Sequence, residues 1–247
     1  MMDRGDRLLL LEGPKVCISV GMKVVIPEVT LRALSAVSKT AHKHFTKRPN
    51  YYELNLPFGS VDKKALEHVI HWLKDVCSTA NTYVIPHGRT FTQNVLIYKV
   101  CRVLGINSNI GHILNAIRDE ITTRLLEYKE IHAIVTNLTP SDPVFIHLAH
   151  NLTHKRYLKE IPDSECFQAY LSEHPELEKL MAEIHAKNTA RYRRLKAKEA
   201  ADAREEEWLE WRRTAKWRPE SVSASDVEPK TPASNIGVVR SIPEGIA

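Results

Sequence analysis

His147, His150 and His154 come nearest to a reactive set. At i, i+3 and i+7 they lie within ~60° of one another on a helix, a spacing that can present imidazoles to one metal ion. No H-E-x-x-H accompanies them and no fourth ligand is evident nearby. The expected reading is therefore an exposed polar face whose histidines titrate one by one. His42 and His44, like His68 and His71, read as ordinary helix surface. Asp119 and Glu120 are adjacent, and neighbours on a helix diverge by ~100°, so they cannot share a substrate. The chain has no G-x-S-x-G, no G-x-G-x-x-G and no P-loop. Cys17, Cys77, Cys101 and Cys166 form no C-x-x-C, and none has a context that would lower its pKa. These patterns predict no catalytic, metal or cofactor-binding residue, and a protein that is not an enzyme.

The elements that hold these residues begin with strands. Val16, Ile18 and Val20 alternate with Cys17 and Ser19, and Val24, Val25 and Ile26 follow after Gly21-Met22, which reads as a two-residue hairpin. Pro27 is expected to end the second strand, and Thr30 to cap one helix carrying Leu31, Leu34, Val37, Ala41 and Phe45. Tyr52, Leu54 and Leu56 predict a half-buried strand closed by Pro57 and Gly59. Asp62 can cap a helix with Ala65, Leu66, Val69, Ile70, Leu73, Val76 and Cys77 on one face. A looser stretch follows, with a short strand expected at Tyr83–Ile85. The next helix carries Leu96, Val100, Val103 and Leu104, and Gly105 stands where a glycine would stop it.

This strand–strand–helix–strand–helix–helix order resembles the BTB/POZ fold, in the divergent form common in filamentous fungi. The phrases that carry the resemblance are VCISVGMKVVIPEVTLRALSAVSKTAHKHF, YYELNLP, ALEHVIHWLKDVC and LIYKVCRVLGI. It extends more weakly through LTPSDPVFIHLAHNLTHKRYLKEIP and FQAYLSEHPELEKLMAEI, to about residue 187. The resemblance implies an α+β, BTB/POZ-like domain over 14–126, after a flexible N-terminus at 1–13, with an all-helical extension over 127–187.

After Gly105 the chain is expected to be helical throughout: Ile110, Ile113, Leu114, Ile117, Ile121 and Leu125 recur at helical spacing, then Ile131, Ile134, Val135 and Leu138. Ser141-Asp142-Pro143 starts a helix with Phe145, Leu148, Ala149 and Leu152 inside, and Asp163 starts another with Phe167, Tyr170 and Leu171. From Glu176 to Arg218 there is neither Gly nor Pro. Its stripe is dense at Leu177, Leu180, Met181 and Ile184 and then thins, so 188–218 is expected to be a charged projecting helix. The tail at 219–247, rich in Ser, Pro, Glu and Ala, is expected to be disordered.

Two clusters on the long helix are candidate contact surfaces. Arg191, Arg193, Arg194, Lys196 and Lys198, with Tyr192 among them, form a possible basic patch for phosphates or nuclear import, but acidic residues follow directly. Trp208, Leu209, Trp211 and Trp217 form a possible partner or oligomer interface, because exposing indoles on a helix is unfavourable. The net charge of +5 is modest and spread over both parts of the chain, so nucleic acid is not the expected partner.

No stretch approaches twenty apolar residues, and the leucine run after MMDRGDR is too short for a signal peptide. The expectation is an intracellular protein, cytoplasmic or nuclear, with buried free thiols and no membrane contact. The sequons at Asn137 and Asn151 are then chance matches. The resemblance implies a protein–protein interaction module, an adaptor or scaffold that associates with a second copy of itself. Alternatives are a substrate adaptor for a cullin ubiquitin ligase and a nucleic-acid-associated regulator acting through 187–218. Lys15 stands where dimeric family members often carry an aspartate, and Pro27-Glu28 replaces their usual His-Lys. No glutamate occurs between His68 and Asp119, where cullin binders tend to show one.

Overall fold

The computed structural model describes residues 3–79 and 84–215, so Tyr83, Trp217 and the tail at 219–247 lie outside the described residues. The chain divides into two compact units, Met1–Tyr192 and Arg193–Ala247. The architecture is mixed α+β, a small three-stranded sheet with many helices and a long C-terminal helix.

The N-terminus, expected to be flexible, carries helix α1 (Arg4–Leu9). Strands β1 (Lys15–Val20) and β2 (Lys23–Thr30) form the expected hairpin, with Val20 opposite Lys23. Gly21 has φ +63°, the left-handed conformation such a turn needs. Pro27 does not end β2, because pairing continues until Thr30 meets Lys15. Two register shifts place extra residues on β2 around the proline, and β2 is an edge strand in the order β2-β1-β3. A bulged edge is where a residue without an N–H is tolerated.

The single helix expected after Thr30 is two, α2 (Leu31–Val37) and α3 (Lys39–Lys47). Thr30 does not cap α2 with its side chain; its hydroxyl donates to Leu11 O at 3.4 Å. The break falls at Ser38, which is extended and fully buried, and whose Oγ accepts from Ala41 N at 3.0 Å. Strand β3 (Glu53–Leu56) pairs parallel to β1 with Leu54 and Leu56 buried, while Tyr52 lies before it and is exposed. Helix α4 (Lys63–Ser78) is capped by Asp62, whose Oδ1 accepts from Ala65 N at 2.9 Å. The α1 helix packs on α4, and Arg7, itself buried, donates from Nη1 to Val76 O at 2.7 Å and Thr79 O at 3.1 Å. A cation at the C-terminal end of a helix satisfies carbonyls that the helix itself leaves unpaired.

Val84 and Ile85 are not in a strand, although Ile85 is fully buried. Helix α5 (Phe91–Leu104) follows and ends at Gly105 with φ +71°. Of the four apolar residues expected on its inner stripe, Val100 and Leu104 are buried while Leu96 and Val103 are only partly so. The core residues also include Phe91, Val95, Ile97, Tyr98 and Cys101. They lie around most of the helix because α3 and α4 pack on it, as do helices α6 (Gly111–Thr123) and α7 (Tyr128–Asn137). A helix covered on several sides has no single apolar stripe to read.

Helix α8 (Pro143–Tyr157) buries the expected Phe145, Leu148, Ala149 and Leu152, and helix α9 (Ser164–Glu173) buries Phe167 and Leu171. Asp142 caps α8, accepting from Val144 N at 2.8 Å. Buried on α5, Tyr98 donates to both Asp142 oxygens at 3.3 Å, and Arg102 Nε approaches the same carboxylate at 3.7 Å. Burial, with the Asp142 charge second, pushes the Tyr98 phenol up to about 12. Arg124 ties α6 to α7, reaching Glu120 and Glu130 at 2.7 Å each. Helix α10 (Pro175–Ala215) buries Leu177, Met181 and Ile184 in its first turns.

Candidate protein-interaction surface

The histidines are placed as structural pins or as surface. His147 Nε2 lies 3.0 Å from Thr122 Oγ1, while His150 and His154 are exposed. His68 Nε2 is 2.9 Å from Pro86 O, His44 Nε2 is 3.1 Å from Glu53 O, and His71 lies 3.4 Å from Asp75. Among the described residues no three His, Cys, Asp or Glu side chains gather as a metal-binding group. Glu120 is held by Arg124 rather than facing a substrate with Asp119. Cys77 and Cys101 are buried, and burial raises both thiols, Cys101 up to about 12. Neither is a nucleophile at neutral pH. Cys17 is half-buried and Cys166 exposed.

A groove of about 550 Å³ runs between α4, α5 and the chain before α5, lined by Asp62, Lys64, His68, His87, Arg89 and Gln93. Three of its polar side chains serve the fold. The Asp62 carboxylate caps α4, His68 holds Pro86 O, and Gln93 Oε1 accepts from Arg89 N at 2.7 Å. Its lining pairs no serine or cysteine with a base. Lys15 and Glu28 meet at 2.7 Å across the hairpin, and the lysine holds the Glu28 carboxyl below its usual range. Both side chains are largely exposed, so this pair adds little stability.

The basic residues stand on one helix but not on one face. At 100° per residue, Arg191, Arg193, Arg194, Lys196 and Lys198 spread around most of α10. Lys196 lies 3.1 Å from Glu199. All five are exposed, so α10 presents a positive collar rather than a groove for a phosphate backbone. Trp208 and Trp211 differ, since three residues apart they share a face. They are 49% and 65% exposed, and the Arg212 guanidinium stacks over the Trp208 ring at 4.4 Å. Leu209, 42% exposed, points away from that face by ~100°.

One surface escaped the sequence reading. Met22 and Phe58 are almost fully exposed, and a Cβ added to Gly21 would stand 3.3 Å from Phe58. The Gly21 N–H donates to Leu56 O at 2.8 Å, which brings the hairpin tip beside the end of β3. The signal was present as large apolar residues at turn positions, Met22 after Gly21 and Phe58 between Pro57 and Gly59.

Among the described residues no helix is long and apolar enough to cross a membrane. No protein-family model matches this chain, and neither the curated proteins nor the solved structures contain a significant match to it.

Proposed function

We propose that this chain is a non-enzymatic protein–protein interaction module, a BTB/POZ-like adaptor or scaffold that associates with a second copy of itself. The observation that carries the reading is the indole pair on α10. Trp208 and Trp211 share a face and leave 49% and 65% of their surface in water. Large aromatic side chains dominate binding energy at interfaces, and burying each removes 150–250 Å² from solvent. The element order, with a β-hairpin, a parallel third strand and α4–α6 built on it, supports the BTB/POZ-like part of the reading.

The test is solution mass by light scattering on the full chain over a range of concentrations. A mass of twice 28.2 kDa that falls on dilution is expected. A concentration-independent mass of 28.2 kDa would overturn the self-association reading.

A further inference from the structure

Charge is arranged along α10 in blocks. Lys187, Arg191, Arg193, Arg194, Lys196 and Lys198 come without an acidic residue among them. Glu199, Asp202, Glu205, Glu206, Glu207 and Glu210 follow, interrupted only by Arg204. The helix runs unbroken through both blocks, and every described side chain from Ala190 to Arg213 is exposed. Small residues towards the N-terminal part and large ones towards the C-terminal part lie along one seam at spacings of three and four, namely Ala190, Arg194, Ala197, Ala201, Arg204, Trp208 and Trp211. That is the spacing of a coiled-coil seam.

We infer that this face of α10 pairs with the same face of a second copy, the two helices running antiparallel and crossing near Glu199. The inference rests on the self-association reading above and specifies its geometry. With the crossing at Glu199, Trp208 of one copy falls opposite Ala190 of the other, and Ala197 falls opposite Ala201. The Trp208 indole of each copy then meets a small residue that leaves room for it, and the centre of the seam lets the backbones approach. Trp211 falls opposite Lys187, whose ammonium can lie over the ring. Arg194 meets Arg204 in the weakest layer, where the aliphatic stems pack and the guanidinium groups turn outward to water.

The flanking positions decide the direction. In the antiparallel pair Arg193 lies beside Glu207 of the second copy, and Arg191 beside Glu205. Two-fold symmetry repeats both pairs, so four attractive contacts flank the seam against one like-charge contact, Lys198 beside its own copy at the centre. A parallel, in-register pair sets the basic block against the basic block and the acidic block against the acidic one. Such like-charge juxtaposition works against that arrangement.

Charge reversal in the full chain tests this. Arg191→Glu with Arg193→Glu makes one variant, and Glu205→Arg with Glu207→Arg makes a second. Each alone is expected to fall to the monomer mass with its helical circular dichroism unchanged, and all four substitutions in one chain are expected to restore the dimer. Direction is read separately on a Cys166→Ser background, which removes the exposed thiol. Ala200 lies beside its own copy in the antiparallel pair, so Ala200→Cys is expected to form an intermolecular disulfide with itself. Ala197→Cys forming that bond faster than Ala200→Cys would mean parallel helices and overturn the proposal. Dimers that survive both charge reversals would overturn it too, as would a fourfold variant that stays monomeric. If Trp208→Ala with Trp211→Ala yields a monomer while the charge reversals do not, self-association stands and the antiparallel pairing falls.

Discussion

The hydroxyl of Ser38 donates to the carbonyl of Leu104 at 2.6 Å, joining residues 66 apart in sequence at a point sealed from solvent. The same oxygen accepts from Ala41 N, so one side chain starts α3 and satisfies a carbonyl at the end of α5. Thr40 Oγ1 does likewise for Val103 O at 2.9 Å. Gly105 completes the arrangement, because a Cβ there would stand 3.1 Å from the Cβ of Lys39.

Ser38→Ala removes a helix cap and leaves a buried carbonyl short of a donor. The expected loss is about 1–3 kcal/mol of unfolding free energy. Urea titration followed by circular dichroism checks it, and a midpoint equal to that of the wild type would contradict this role for Ser38.

Tyr98 sets an alkaline limit. Its folded phenol titrates up to about 12, whereas an unfolded tyrosine titrates near the ordinary 10.0. Between those values the unfolded state has released its proton and the folded state has not. Stability conferred by the neutral phenol is therefore complete below pH 10 and is lost as pH rises towards 12. Tyr128 and Tyr170, also raised to about 12 mainly by burial, act in the same direction. Melting temperature measured across this range is expected to fall with pH, and Tyr98→Phe to flatten part of the slope.

On the acid side the relevant group is Glu130, which is buried and hydrogen-bonded to Arg124, with its carboxyl held below the usual range chiefly by that bond. A depressed carboxyl contributes stability above its unfolded pKa and loses it as pH falls through the folded value. Arg124→Met is expected to cost about 1–3 kcal/mol at neutral pH, because it strands a buried carboxylate. It is also expected to weaken the acid dependence, and urea midpoints at neutral and acidic pH test both effects.

The cysteines differ in accessibility. A maleimide is expected to label Cys166 first and Cys17 more slowly, leaving Cys77 and Cys101 untouched until denaturant is added. Peptide mass spectrometry reads the order, and early labelling at Cys101 would show that the core around α5 opens.

Legibility in the sequence followed locality. The hairpin at Gly21, the Asp62 and Asp142 caps and the stop at Gly105 depend on neighbouring residues, and all were readable. The break at Ser38 was not, because it is stabilised by a carbonyl 66 residues away. Nor was the continuation of β2 through Pro27, which needs an edge position that only the assembled sheet defines. The stripe on α5 was misread because several helices surround it. For the candidate surface, Trp208 and Trp211 were legible as large apolar residues in a charged segment. The tip formed by Met22 and Phe58 needed the three-dimensional approach of two turns.

Light scattering on the full chain and on its Trp208→Ala/Trp211→Ala variant at matched concentrations shows whether the indole face holds two copies together. A dimeric wild type and a monomeric variant of unchanged helical content are predicted. Equal masses for the two proteins would contradict the claim that this indole face is the surface through which the protein associates.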